Sequence, residues 1–212
     1  MQDRPEDRGT EAPLAAARSL SARHEEALAR FILFWGEMAS SWGINRTMAQ
    51  IHALLYAVEE PLDTDDIMAW LQISRGNANM NLRSLMNWNL VRKVHVPGSR
   101  KDYFAAEKDV WEITAQIIRE RERREIRPVI QQLEECRVTL TSGGETTLSQ
   151  TEAQFYERIQ NLRELMEVFE GFSQAFLPFV QQRNGALLRQ LIEAAAALHA
   201  LSERSGEDGR ED

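Results

Sequence analysis

The chain has 212 residues, 43% apolar and 27% charged, a composition typical of a globular protein with a hydrophobic core. Its net charge of −8 argues against a uniformly basic nucleic-acid binder, and its single cysteine excludes a disulfide framework or a cysteine-rich zinc site. No apolar run approaches the roughly 18 residues of a membrane span, and the polar first 21 residues do not resemble a secretory signal. We therefore expect a soluble cytoplasmic protein. Because the four histidines are scattered along the chain, we expect no metal, and we expect no cofactor.

The first part of the chain is predicted to form a disordered arm followed by three helices. Residues 1–22 are rich in charge, Pro and Gly and contain few large apolar side chains. Apolar residues at helical spacing then predict helices over 24–42 and 46–58, the second capped by Asn45. Asp63 is expected to cap a third, short helix, with Asp66 completing a capping box.

A fourth helix and a hairpin come next. Ser74 is a good N-cap for a helix that ends near Trp88, and Asn89 suits the left-handed position after it. Residues 90–96 and 102–105, separated by a Pro-Gly-Ser turn, predict a β-hairpin. Two short helices joined by a tight turn and followed by a hairpin have the order of a winged helix-turn-helix.

This segment also has an unusual charge distribution. Residues 67–101 contain no Asp or Glu but six Lys or Arg, which leaves −14 for the rest of the chain. A basic stretch without Asp or Glu indicates a surface that binds a polyanion.

The outward face of the fourth helix carries the residue types that contact base edges in a major groove, and the hairpin carries cations suited to phosphates. Asn pairs with adenine, Arg with guanine, and an apolar group contacts the thymine methyl. The sequence therefore predicts double-stranded DNA as a partner, with these candidate DNA-binding residues: Ser74, Arg75, Asn77, Asn79, Met80, Asn81, Arg83, Ser84, Arg92, Lys93, Arg100 and Lys101.

Long helices are predicted beyond the hairpin. Asp109 is expected to cap a helix over 110–140, and a last helix covers 186–201. Between them, a second long helix is predicted from Ser149 to about Val180, where Pro178 marks its end. The second carries a near-heptad apolar stripe, which favours a dimer seam over an intramolecular core. The candidate dimerisation residues are Phe155, Ile159, Leu162, Met166, Phe169, Phe172, Phe176 and Val180.

The predicted fold is mainly α, a winged helix-turn-helix domain with a small β-hairpin wing plus long helices that form a dimerisation region. We divide the chain into the disordered arm 1–22, the DNA-binding domain 23–108, whose first helix can join the dimer region, the helical linker and dimerisation region 109–201, and a disordered acidic tail 202–212.

Two smaller features allow more than one interpretation. The five Arg and three Glu of residues 119–127 fit either a solvated helix face joined by ion pairs or a contact that flanks DNA. Cys136 is spaced with Val129, Leu133 and Leu140 as a packed small hydrophobe, and the alternative of a redox-sensing thiol is disfavoured because no second Cys could resolve an oxidised one.

Three segments resemble the GbsR branch of the MarR-type transcriptional regulators. They are the runs 43–51, 73–83 followed by Trp88, and 94–104, within a similarity that covers about residues 30–136. The resemblance implies a dimeric winged-helix regulator of a pseudo-palindromic operator, with Ser74–Arg83 at the start of the recognition helix and Arg100 as the wing arginine. Gln72 departs from the pattern, since that turn often has Gly.

The sequence thus predicts a homodimeric DNA-binding regulator, with repression as the expected mode and room for a small-molecule effector of unidentified chemistry. The alternative is a winged-helix protein-interaction module that does not bind DNA. We do not expect an enzyme, because no nucleophile–base pair, carboxylate pair or phosphate-binding loop stands in a suitable context.

Overall fold

The computed structural model describes residues 21–142 and 148–197, apart from positions 184, 188 and 191. The chain divides into two compact units between Ile113 and Thr114. The predicted acidic tail lies outside the described residues, as does the predicted arm except for its last two positions. Within the described ranges, no helix is long and apolar enough to cross a membrane.

The first unit opens with two helices that pack along each other. Helix α1 (Ala22–Ser41) begins at the N-cap Ser21, and α2 (Arg46–Ala57) begins at Asn45. The Asn45 side chain accepts a hydrogen bond from the Met48 amide at 3.0 Å, so the predicted cap is confirmed. Gly43 adopts a φ of +76° between the helices, a conformation that glycine takes without steric cost.

The next two helices are short and joined by a tight turn. A strand of two residues, β1 (Leu62–Asp63), leads into α3 (Thr64–Leu71), and α4 (Arg75–Asn87) follows. The predicted capping box is confirmed: Asp63 accepts from the Asp66 amide at 2.9 Å, and Asp66 accepts from the Asp63 amide at 3.1 Å. Ser74 caps α4 as predicted, accepting from the amide three residues later at 3.3 Å.

The predicted hairpin forms from β2 (Val91–Val94) and β3 (Tyr103–Ala106), which pair antiparallel. We call this hairpin and its connecting turn the wing. Strand β3 is central in a three-stranded sheet, because β1 pairs with its other edge and places Asp63 opposite Tyr103. The predicted mainly helical fold with a small hairpin is therefore confirmed, and β1 is an element that the sequence analysis did not predict.

The core of the first unit receives buried apolar residues from all four helices and from β3. Its largest fully buried side chains are aliphatic, and each comes from the inward face of its helix: Ile51, Leu54, Leu55, Ile67, Leu82 and Leu85. Burying side chains of this size contributes about 1.5–3 kcal/mol each to folding stability. This burial determines which side of α4 faces the solvent.

The predicted helix over 110–140 is not a regular α-helix. It consists of α5 (Val110–Arg121), a π-helical turn (Glu122–Ile126) and α6 (Arg127–Thr141). Pro128 accounts for the change, since it has no N–H for the carbonyl four residues earlier and its ring crowds that carbonyl.

The second long helix is α7 (Gln150–Gln181), capped by Ser149 as predicted. It ends at Gln181, one residue past the predicted end near Val180, so the predicted extent is confirmed and Pro178 lies in its last turn. Positions 185–187, 189–190 and 192–197 are also helical, and all but position 185 lie within the last predicted helix. The expectation for Cys136 was wrong, because its side chain is exposed on α6.

The apolar stripe of α7 is divided rather than uniform. Ile159 and Val180 are buried within the chain, and Met166 is half-buried. The contrasting members Phe155, Leu162, Phe169 and Phe172 are about half exposed or more. Helices α6 and α7 pack together, so one side of the stripe belongs to the unit's own core. The prediction that Ile159 and Val180 are free for a dimer seam is therefore wrong.

The arginines of residues 119–127 include several that pair with glutamates of the same segment. Glu120 is buried and accepts from Arg123 at 2.7 and 2.9 Å, and it also contacts Arg124. Glu122, also buried, accepts from Arg127 at 2.7 and 3.1 Å. These contacts favour the interpretation of a helix face joined by ion pairs.

Candidate nucleic-acid interface

Helix α4 has a buried side and an exposed side at the spacing the sequence predicts. Ala78, Leu82 and Leu85 are buried, each no more than 1% exposed. Asn79 and Arg83 are exposed on the other side, and the Met80 side chain is 59% exposed. The exposed side therefore offers an amide, a guanidinium and an apolar group, which are three chemically different contacts for base edges.

Asn81 does not belong to the exposed side, and its prediction as a DNA contact is wrong. It is 3% exposed, and its Nδ2 donates to the Asn77 backbone oxygen at 2.9 Å and to Asn77 Oδ1 at 2.6 Å. Its position three residues after Ala78 and four before Leu85 places it among the core residues. That spacing was visible in the sequence.

Two further predicted DNA contacts on α4, Asn77 and Ser84, are half-buried, and their side chains form hydrogen bonds within the helix. Asn77 accepts the bonds from Asn81, and the Ser84 hydroxyl donates to the Met80 carbonyl at 3.3 Å. Ser74 is exposed but uses its hydroxyl oxygen as the N-cap.

Three of the six cations of the acid-free stretch form ion pairs with acids that border it. Lys93 Nζ lies 2.6 Å from Asp102 Oδ2, and Lys101 Nζ lies 2.6 Å from Asp63 Oδ2. Arg75 pairs with Asp65, which Lys101 also approaches at 3.3 Å. The charge of the folded surface is therefore lower than the stretch of sequence predicts.

The other three cations are Arg83 on α4 and Arg92 and Arg100 on the wing. All three are exposed, and within the described residues none forms an ion pair. Arginine carries five donors in a planar fork that matches phosphate and guanine acceptors. These three side chains are therefore the cations best able to bind an anionic partner.

The sheet explains the ion pairs that the sequence analysis missed. The pairing of β1 with β3 places Asp63 opposite Tyr103, two residues from Lys101. The Asp63 carboxylate then receives Lys101 with one oxygen and caps α3 with the other. A contact between residues 38 positions apart has no local sequence signal, so only the fold reveals it.

We call the exposed side of α4, together with Arg92, Lys93, Arg100 and Lys101 of the wing, the α4–wing surface. Helix α3, the turn and α4 form a helix-turn-helix, and the paired strands that follow form its wing. The class of protein that this arrangement defines is the winged helix-turn-helix proteins.

Comparisons with known proteins agree with this class. Over 104 residues, 49% of this chain, the sequence is 26% identical to the HTH-type transcriptional repressor GbsR of Bacillus subtilis (strain 168). The match spans 57% of that repressor's length. The resemblance to GbsR that the motifs predict is thus confirmed for about half of the chain. No protein-family model matches the chain.

Solved structures provide a separate comparison of the fold. A crystal structure described as a transcriptional regulator aligns with a TM-score of 0.54 at 18% identity, covering 74% of this chain and 99% of that one. A mutant of S. aureus MepR bound to an oligodeoxyribonucleotide covers 74% of this chain and 97% of its own at 16% identity, with a TM-score of 0.33. The alignment with the transcriptional regulator, at a TM-score above 0.5, supports the fold assignment.

Proposed function

We propose that this protein is a homodimeric, sequence-specific DNA-binding regulator of transcription, with repression as its expected mode. The observation that carries the proposal is the α4–wing surface, where Asn79, Met80 and Arg83 are exposed on one side of α4. The likeness to a repressor over half of the chain supports the same function.

The proposed mechanism divides the work between α4 and the wing. Helix α4 enters the major groove, where Asn79, Met80 and Arg83 contact base edges. Arg92 and Arg100 of the wing bind phosphates or the adjacent minor groove, which fixes position and adds affinity that depends on salt. Two copies related by a twofold axis contact half-sites about 34 Å apart.

A selection experiment followed by two variants tests this function. Duplexes enriched from a random pool by the full chain supply the specific site, and affinity is measured by fluorescence anisotropy. Arg83→Ala should cost about 1–3 kcal/mol on the selected duplex and relax base preference at one position. Arg100→Ala should weaken selected and random duplexes alike and make the salt slope about one unit shallower.

Arg30→Ala is the matched control. Arg30 is also an exposed arginine, but it lies on α1 and pairs with Glu26 at 2.7 Å. Its loss changes the net charge by the same amount and should leave both affinities nearly unchanged. If no duplex is enriched and binding shows no salt dependence, the proposal is wrong and the protein-interaction module becomes the better explanation.

A further inference from the structure

The carboxylate of Asp65 lies within the proposed DNA-binding surface. It contacts Arg75 from the first turn of α4 and Lys101 from the wing, the latter at 3.3 Å. Asp65 therefore joins two cations of different elements, both of which the sequence analysis assigns to DNA.

We propose that Asp65 is a specificity-determining residue, whose carboxylate competes with DNA phosphates for Arg75 and Lys101 and so limits binding to duplexes of arbitrary sequence. This inference rests on the proposed DNA-binding function.

The neighbouring Asp63 shows by contrast what distinguishes Asp65. The Asp63 side chain is 5% exposed, and its two oxygens cap α3 and receive Lys101 at 2.6 Å. Asp63 is thus part of the fold. The Asp65 side chain is 50% exposed, and within the described residues its hydrogen bonds go only to Arg75 and Lys101. Its contacts can therefore be exchanged for others without opening the core.

Exposed ion pairs of this kind are weak and open readily to solvent. A phosphodiester group carries the same charge of −1 as the Asp65 carboxylate and also accepts two hydrogen bonds from a guanidinium, so it can replace that carboxylate beside Arg75. The hydrogen bond from Arg75, assisted by Lys101, lowers the pKa of Asp65. The carboxylate therefore stays ionised at neutral pH, where a phosphate has to displace it.

Competition of this type reduces non-specific binding more than specific binding. Non-specific affinity comes from cations that neutralise phosphates and release counterions. A cation that already has a carboxylate partner releases fewer counterions, whereas the base contacts of Asn79 and Arg83 do not involve Asp65. We therefore infer that Asp65 widens the difference in affinity between the operator and other DNA.

Asp65→Asn tests the inference with a readout that a purely structural role would not change. Binding of the full chain to a random-sequence 30-base-pair duplex is measured from 50 to 300 mM KCl. The slope of log K against log[KCl] should become more negative by about 0.9, because the substitution frees Arg75 while Lys101 keeps its ion pair with Asp63. If affinities at 1 M salt are equal, each released cation gives about eightfold tighter binding at 0.1 M.

Two further variants separate the local effect from other causes. Glu26→Gln makes the same change in net charge at an exposed ion pair on α1, and it should leave the slope unchanged. Asp65→Glu keeps the carboxylate and should restore the wild-type slope.

The results distinguish this inference from the function on which it rests. If wild type binds duplex with a clear salt slope and Asp65→Asn has the same slope, the inference is wrong and the proposed function stands. Weaker duplex binding with a shallower salt slope in Asp65→Asn would also overturn it, because Asp65 would then position the cations for DNA. If wild type shows no salt-dependent duplex binding at all, the proposed function itself fails.

Discussion

His52 is the one histidine in the core of the first unit. It is 4% exposed, and within the described residues its Nε2 has no hydrogen-bond partner. Burial, helped by the charge of Lys108, lowers the pKa of His52 from 6.5 to about 4. The imidazole is therefore neutral in the folded protein at every pH where the protein is expected to work.

This burial predicts a loss of stability in mild acid. Between about pH 6.5 and pH 4 the unfolded chain binds a proton at His52 that the folded chain does not bind, so the free energy of unfolding falls as the pH falls. The full effect is about 3 kcal/mol. His52→Leu should remove this part of the pH dependence, because leucine does not titrate and fills the buried site with an apolar side chain of similar volume.

Urea unfolding at several pH values, followed by tryptophan fluorescence, measures the free energy of unfolding of the first unit. The signal reports on this unit because all five tryptophans lie in the first 113 residues. His95→Gln is the control, because His95 is exposed on the wing. Equal pH dependence in wild type and His52→Leu would contradict the prediction.

Individual residues also show where prediction from sequence succeeds. The caps at Asn45, Asp63 and Ser74 depend on neighbours within three positions, and all three form as predicted. The pairing of Lys101 with Asp63 depends on a strand pairing across the sheet, and a local pattern cannot contain it.

At the scale of elements, the turn between α3 and α4 sets the position of α4. Gln72 occupies this turn with a φ of 53°, in the left-handed region. Most L-residues lose about 1–2 kcal/mol there, whereas glycine does not. Asn89, after α4, has a φ of 55°, but asparagine tolerates this conformation well.

Glycine substitutions at the two positions should therefore differ. Gln72→Gly should stabilise the first unit by up to about 1 kcal/mol after the greater unfolded-state entropy of glycine is subtracted. Asn89→Gly should change stability by only a few tenths of a kcal/mol. Both side chains are exposed, so neither change removes packing. Urea midpoints that rank the two variants in the opposite order would contradict this account.

Elements were predictable in type but not in every detail. The periodicity of the helices and the alternation of the wing strands were sufficient to locate them. Strand β1 has only two residues and exists because β3 lies beside it, so its sequence carries no alternation. The π-helical turn also escaped prediction, because apolar spacing does not report the hydrogen bond that Pro128 lacks.

For the whole molecule, charge and apolar surface indicate different partners. The net charge of −8 disfavours DNA on average, so the proposed DNA binding requires a local surface where arginines lack acid partners. Among the residues that the structure describes, Arg83, Arg92 and Arg100 of the α4–wing surface have no acid partner. The exposed phenylalanines of α7, in contrast, point to an apolar partner.

The exposed part of the α7 stripe predicts how the proposed dimer forms. Leu162, Leu165, Phe169 and Phe172 repeat at intervals of three, four and three residues, and Phe172 is 65% exposed. Monomers rarely leave such a row of large apolar side chains in water, and a second copy offers the same row. Phe172 also stacks on Phe176 with ring centroids 5.6 Å apart, which enlarges the apolar surface.

Phe172→Glu should therefore shift the protein from dimer to monomer in sedimentation equilibrium, because each copy would bury a carboxylate in an apolar seam. Gln174→Glu adds the same charge at an exposed position 200° away around the helix, and it should remain dimeric. The Phe172→Glu monomer should also bind the selected duplex more weakly, since one copy engages one half-site. A Phe172→Glu protein that stays dimeric would place the dimer interface away from this row, whatever its affinity for DNA.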